Sequence, residues 1–402
     1  MKNIIKTSII ICSCFLLTAC HALRGVRWWY ADLNDVDKFD AVVLEKSTTP
    51  FSFFENNQKE PNPQLDKYLE NTNTAAFLVI RNDSILYEKY WEGFQRTSKI
   101  PSFSVAKSFV GTLIGFAIDD GFIESTSDKV VQYIPELKEN GLTYEDITIQ
   151  DCLDMRSGFD NQENYGGVNM FSPMVRMYYG TNLEKEVFNV KIGSNQGEFN
   201  YQSINTQILG MIIERATQQS LQSYLHEKIW QPLGMQYEAS WSIDSKKHNT
   251  VKAFAALNAA PIDFAKLGRF YLNNGNWNGQ QLLAESWIEA TTDFDELFEK
   301  GYKNQWWSAA VTKVFQDSTL AETYRANNEN VSRVYSNNGY FWVRDFNKAY
   351  FARGILDQFI FVRPDKNLII VRMGDYPEHR IRFSNVESYW MDNFLGAVSE
   401  LF

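Results

Sequence analysis

Pro101-Ser102-Phe103-Ser104-Val105-Ala106-Lys107-Ser108 leads into a strongly apolar helical pattern. From Phe103 to Ile118 the apolar positions 105, 106, 109, 110, 113, 114, 117 and 118 recur at helical spacing, and Asp120-Gly121 supplies a C-terminal stop. A helix with so wide an apolar face is expected to be largely buried. Its remaining stripe is Ser104, Lys107, Ser108, Gly111 and Gly115, small or polar residues three or four apart, so one side lets other groups approach closely. Lys107 therefore sits where an unpaired charge is expensive. Because Ser104 and Lys107 share a helix face, the amine can reach the hydroxyl. Burial lowers a lysine pKa, giving a neutral amine able to take the serine proton near neutral pH. The Ser-x-x-Lys spacing alone is a weak signal, expected about once by chance in a chain this long. Taken alone, the pair also fits a helix cap at Ser104 with Lys107 snorkelling to solvent.

Outward from this helix, Ala75 to Ile80 and Ile85 to Tyr90 flank Arg81-Asn82-Asp83-Ser84, the pattern of two strands joined by a tight hairpin. Residues from about 125 to 250 are mostly helical in pattern, including Ile204 to Ala216 and Tyr224 to Trp230. Near the end, Tyr340 to Val343, Gln358 to Val362 and Leu368 to Val371 are β-branched or aromatic runs separated by turns such as Pro364-Asp365-Lys366-Asn367, which predicts an antiparallel meander. Ser384 to Glu387 has capping-box spacing, and Val386, Trp390, Phe394, Ala397 and Leu401 continue as an amphipathic terminal helix. Residues 290 to 335 read as a polar, irregular insertion. Strands at both ends with helices between them define an α+β fold: an antiparallel sheet formed from N- and C-terminal segments, flanked by helices, with a mostly helical layer inserted.

The chain has 402 residues, 44% apolar and 22% charged, which suits a globular protein rather than a disordered or membrane-embedded one. Lys2 and Lys6 precede an apolar stretch from Ser8 to Ala19 that is too short for the roughly 20 residues of a spanning helix, so it reads as an export signal. Leu17-Thr18-Ala19-Cys20 resembles the bacterial lipobox, which implies a signal over residues 1–19 and a lipid on Cys20; a cleaved secretory signal with an incidental cysteine is the alternative. The expectation is an exported protein of the bacterial cell envelope, anchored to a membrane through that lipid, with inner or outer membrane left open. Loss of Lys2 and Lys6 would take the net charge from −10 to −12, which disfavours nucleic acid and leaves membrane attachment to the lipid rather than to a basic patch. Of the four cysteines, Cys12 and Cys14 lie in the signal and Cys20 takes the lipid. Cys152 is left without a partner and is expected to be a small buried apolar residue.

His21, His226, His248 and His379 show no paired metal spacing, and no G-x-S-x-G elbow occurs, so metal-dependent hydrolysis and the α/β-hydrolase triad lack their usual markers. What does match is a set of blocks in order. Pro101 to Ser108 resembles the nucleophile block of the serine β-lactamase and penicillin-binding-protein family, in its class C, esterase and aminohexanoate-oligomer hydrolase branch. Ile147 to Gly158 resembles the segment that ends in a Ser-Gly turn. Phe199-Asn200-Tyr201-Gln202-Ser203-Ile204-Asn205-Thr206, with Leu209-Gly210, resembles the tyrosine block, and Pro232-Leu233-Gly234-Met235 follows in place. The similarity runs from about residue 70 to 400. Several moderate motifs in order are far more specific than any one of them.

The resemblance implies an acyl-enzyme on Ser104, Lys107 as its base and Tyr201 as a proton shuttle; taken alone, Tyr201 also fits a staple at the start of the next helix. A phenol held near an ammonium is expected to lose its proton more easily than its free value of about 10 suggests. Two departures stand out. Ser203 replaces the asparagine of many relatives, and Ala352-Arg353-Gly354 replaces the Lys/His-Thr/Ser-Gly strand motif, with Arg353 expected to point to the opposite sheet face. That motif's cation helps bind the β-lactam carboxylate, so its loss favours ester or amide hydrolysis over penicillin hydrolysis. Gly354 fits a strand that approaches the substrate closely, or a bulge, and the backbone N–H groups of Ile355 and Ser104 would hold the oxyanion. Ser203, Gly354 and Arg353 are the expected substrate-binding residues. The expected organisation is a lead-in over 20–73 and a serine hydrolase domain over 74–402, acting on a small ester or amide without cofactor or metal. A β-lactamase or D,D-peptidase is the alternative within the class, and a non-catalytic peptide- or cell-wall-binding lipoprotein is the alternative outside it.

Overall fold

The computed structural model describes residues 31–55, 62–140, 144–163, 171–293, 301–328, 331–337, 339–346, 349–376 and, near the C-terminus, 395, 398, 399, 401 and 402. The expected signal and Cys20 lie outside these residues. No helix among the described residues is long and apolar enough to cross a membrane.

An eight-stranded sheet runs in the order Tyr302–Lys303, Trp306–Ser308, Tyr350–Gly354, Gln358–Arg363, Leu368–Gly374, Thr74–Arg81, Ser84–Tyr90, Phe54–Glu55. Every pairing is antiparallel except the last. The α+β expectation is met: the N-terminal hairpin pairs with the C-terminal meander through Leu368–Gly374 against Thr74–Arg81. The hairpin turns at Asn82 and Asp83, whose φ values of 51° and 59° give the twist a two-residue hairpin needs.

Alternation along the central strands sends side chains to two faces. Leu78, Ile80, Ile360, Val362, Ile369 and Val371 join the main core beneath the helices. Phe77, Val79, Phe359, Phe361, Leu368 and Ile370 face a second cluster closed by Leu65 and Leu69 of the helix Pro63–Asn71, with Leu395 and Val398. Both faces are covered, which is why these strands read as near-continuous apolar runs. Of the expected terminal helix, Val386, Trp390, Phe394 and Ala397 lie outside the described residues.

The helix Ala106–Asp119 lies in the main core with Ala106 to Ala117 buried. Its small-residue stripe receives neighbours as expected. A Cβ on Gly111 would come within 2.6 Å of the Asn304 carbonyl oxygen, and one on Gly115 within 2.7 Å of the Trp287 ring. The helical layer includes Ile149–Leu153, Pro173–Tyr179, Leu183–Phe188 and Ser203–Thr217. Within the span expected to be helical, Ala239–Ser242 is instead a strand, paired with Ala41–Leu44. Cys152 is free and fully buried, and burial pushes its thiol well up.

Two expectations need correction. Tyr340 to Val343 is a strand, but it belongs to a separate three-stranded sheet with Val311–Phe315 and Tyr335–Asn337; the meander is Tyr350–Gly354, Gln358–Arg363 and Leu368–Gly374. Partial exposure along Tyr340–Asp345 distinguishes it from the fully buried central strands. The described residues of the stretch 290 to 335 are not irregular. Tyr302–Lys303 and Trp306–Ser308 form the edge of the main sheet, joined through Asn304 and Gln305 at φ 46° and 69°. Strands of two and three residues are too short to show periodicity.

Candidate active site

The turn before Ser104 is anchored from outside. Ile100–Pro101 pairs with Leu257–Ala259, and the Ser102 N–H donates to the Leu257 carbonyl at 2.9 Å. Phe103, buried, then takes φ +45°, an unfavourable conformation for a bulky residue that the surrounding core holds in place. This turn sets Ser104 at the edge of the core, 8% exposed, with Lys107 one helical turn on and 1% exposed.

The Lys107 ammonium has three acceptors: Ser104 Oγ at 3.0 Å, Ser203 Oγ at 2.9 Å and the Phe254 carbonyl at 2.8 Å. These match the three protons it carries. Burial lowers its pKa to about 8, and the Glu163 carboxylate nearby holds it up against a further fall. Lys107 is therefore a base poised near neutrality, with about a tenth of it uncharged at pH 7. The snorkelling alternative does not hold for this side chain.

Ser203 opens the helix Ser203–Thr217, directly after its N-cap residue Gln202. Its hydroxyl accepts from Lys107 and donates to Glu163, whose carboxylate also accepts from the Ser203 N–H at 2.8 Å. Glu163 was not singled out in the sequence. It sits within the polar run Asp160-Asn161-Gln162-Glu163-Asn164, and nothing in that run separates it from a solvated loop.

Tyr201 approaches from the same segment. Its ring centroid lies 5.2 Å from Lys107 Nζ, 5.5 Å from the Trp307 ring and 5.7 Å edge-on from Tyr302, so the edge strands hold it in place. Its phenol moves opposite to expectation. Burial pushes it well above the ordinary value; a hydrogen bond with Ser104 and the Arg353 charge offset this in part, while Glu163 adds to it. At rest Tyr201 is a neutral phenol, a proton donor rather than a phenolate base.

Across the cleft, a Cβ on Gly354 would overlap the Ser102 carbonyl and stand 3.1 Å from the Ser104 nitrogen. The strand is thus packed directly against the Ser102–Ser104 turn, and this brings the following residue, Ile355, to line one cleft with Ser104. The turn after Ile355 puts Leu356 and Asp357 at φ 64° and 60°. Arg372, fully buried, donates to the carbonyls of Leu356 at 3.1 Å and Asp357 at 2.7 Å, and the Gln358 amide donates to Gly374 O at 2.6 Å. A strained turn thus carries Ile355 and is pinned from behind. Ala352, where the motif's cation is expected, is fully buried in the main core. Arg353 lies over the Phe359 ring at 5.6 Å and 3.7 Å from Asp357, on the opposite face, as its register predicts.

Gln305 joins the edge strands to the helices. Its carbonyl accepts from Ser108 Oγ at 2.7 Å, its side-chain oxygen from Thr206 Oγ1 at 2.6 Å, and its amide donates to Leu153 O at 2.8 Å. Beside Ser104 and Ser203 opens a narrow, partly enclosed cleft. Met174, Val175, Tyr178, Tyr179, Phe254 and Ile355 are among its walls.

Residues 65–378 match the beta-lactamase family, and the chain belongs to it. Among curated relatives, 6-aminohexanoate-dimer hydrolase of Paenarthrobacter ureafaciens is 29% identical over 312 residues, covering 70% of this chain and 76% of that one. A Bacillus anthracis structure provisionally assigned as a 6-aminohexanoate-dimer hydrolase superposes with a TM-score of 0.70 at 21% identity, covering 94% of both chains. A penicillin-binding protein from Bacillus halodurans does so with a TM-score of 0.58 at 13% identity, over 84% of this chain and all of the other. These superpositions establish the shared fold.

Proposed function

We propose that this chain is a serine hydrolase that cleaves a carboxylic ester or amide through an acyl-enzyme on Ser104. One observation carries the proposal: a buried amine with a pKa of about 8 stands 3.0 Å from the Ser104 hydroxyl. In the acylation step Ser104 Oγ bonds to the substrate carbonyl carbon while its proton passes to uncharged Lys107. The carbonyl oxygen takes the negative charge beside the Ser104 and Ile355 amides. As the C–O or C–N bond breaks, the phenol of Tyr201 gives its proton to the leaving group and is reprotonated from Lys107. Water then attacks the acyl-enzyme, and acid is released with Ser104 restored. The class of the named relatives supports this reading, and buried Ala352 in place of the motif's cation weighs against penicillin as the substrate.

A fluorophosphonate should form one adduct per chain, located by mass spectrometry on Ser104 and missing in Ser104→Ala. Labelling elsewhere, or none, would contradict the mechanism.

Because Lys107 must be uncharged to act, kcat/KM should climb about tenfold per pH unit below the amine's pKa and level off above about 8. Glu163→Gln keeps an acceptor for Ser203 but removes the charge that holds the Lys107 pKa up. The amine then deprotonates more readily, and the rising limb should move to lower pH. A limb that stays in place would show that Glu163 does not act on Lys107.

A further inference from the structure

The cleft beside Ser104 also bears on what is cleaved. We propose that it seats the acyl half of the substrate, and that this half is an uncharged, apolar chain; the inference rests on the serine hydrolase reading. Tyr201, the proton donor on the leaving-group side, is absent from the described walls and packs instead against Tyr302 and Trp307. With Tyr201 serving the leaving group, the cleft is assigned to the acyl side of the scissile bond. Its polar side chains near the nucleophile, Ser104 and Ser203, already serve Lys107. The remaining described walls are aliphatic, thioether or aromatic, with the phenols of Tyr178 and Tyr179 as their other polar side-chain groups.

Among the described residues, the charged groups near this cleft already have partners. The Tyr178 hydroxyl points out of the cleft to Asp35 at 2.5 Å, and Asp35 is also paired with Lys38 at 2.6 Å. Lys252, fully buried behind Tyr178, donates to the Tyr178 carbonyl at 2.6 Å and lies 3.1 Å from the centre of the Phe39 ring. Glu163 is held by Ser203, and Arg353 lies on the far face of the sheet. An ammonium or carboxylate on the acyl chain would lose its water and find no described side chain of opposite charge in the walls, whereas a methylene chain gains from the same walls. The dimer of 6-aminohexanoate named for the relative carries an ammonium on its acyl half; among the described walls such a group would meet aromatic rings but no counter-charge.

The test uses two 4-nitrophenyl esters of matched shape, 7,7-dimethyloctanoate and 6-(trimethylammonio)hexanoate, which differ by a quaternary carbon against a cationic nitrogen. The hexanoate ester serves as a reference for an unbranched chain. The neutral ester should show kcat/KM at least about 100-fold higher, because the cationic head must shed water with no counter-charge in the described wall. Val175→Asp, which places a carboxylate in the wall, should cut that ratio at least about tenfold. The wild-type ratio decides the matter even where this variant fails to fold. A ratio near one, or one favouring the cation, with Ser104 still labelled by fluorophosphonate, overturns the acyl assignment alone. A Ser104 that takes no label overturns the assignment together with the hydrolase reading.

Discussion

Lys107→Met should lower kcat/KM on a neutral activated ester by about 10³-fold, within the range a positioned general base contributes, without unfolding the protein. Methionine fills the space of the lysine stem but cannot accept the Ser104 proton. Lys107→Arg should be as inactive, since a guanidinium stays charged throughout the working pH range. Stability should respond differently from activity. The Lys107 pKa falls from 10.5 in the open chain to about 8 in the fold, so below about pH 8 the folded state carries a buried ammonium at a cost of about 3 kcal/mol. That cost is fully present below pH 8 and fades as pH rises toward 10.5. Methionine removes it, but leaves the Phe254 carbonyl and Ser203 hydroxyl each short of a donor, at about 1–3 kcal/mol apiece. These effects largely offset, and Tm at pH 7 should move by only a few degrees. A variant of unchanged activity would show that another group is the base.

The meeting of Ser104 with a buried Lys107 was legible because both constraints are local. Ser104 and Lys107 lie one turn apart, and the apolar positions around them force that turn into the core. The sheet was legible where strands are long and buried, as in Thr74–Arg81 and Leu368–Gly374, and where Asn82-Asp83 announces a hairpin. The edge strands at 302–308 were not, because pairing with Tyr350–Gly354 defines them rather than any pattern of their own. Glu163 was hidden for a related reason. Its role comes from facing Ser203, 40 residues on, and a lone acid in a polar loop carries no trace of that. The direction of the Tyr201 shift was missed because the neighbouring cation was weighed and burial was not. Charge proximity lowers a phenol, but full desolvation raises it more.

Gly354→Ala should lower kcat by about 10²–10³-fold with little change in KM, the magnitude seen when an oxyanion donor is removed. The added methyl would overlap the Ser102 carbonyl oxygen and crowd the Phe103 side chain and the Ser104 nitrogen at 3.1 Å. Neither side can retreat cheaply. Ser102 is tied to Leu257, and the strand is fixed by Gly354 facing Gln358 across the ladder, with Arg372 gripping the turn beyond. The strand and the nucleophile turn must therefore part, and the Ile355 and Ser104 amides cease to converge on one oxygen. Ground-state binding in the apolar cleft depends on walls that this movement leaves in place, so the loss should fall on the charge-bearing transition state. Affinity for a trifluoromethyl ketone, which forms that oxyanion on Ser104, should fall in parallel with kcat. If the ketone bound as tightly as to the wild type while kcat fell, the glycine would act by some route other than the oxyanion.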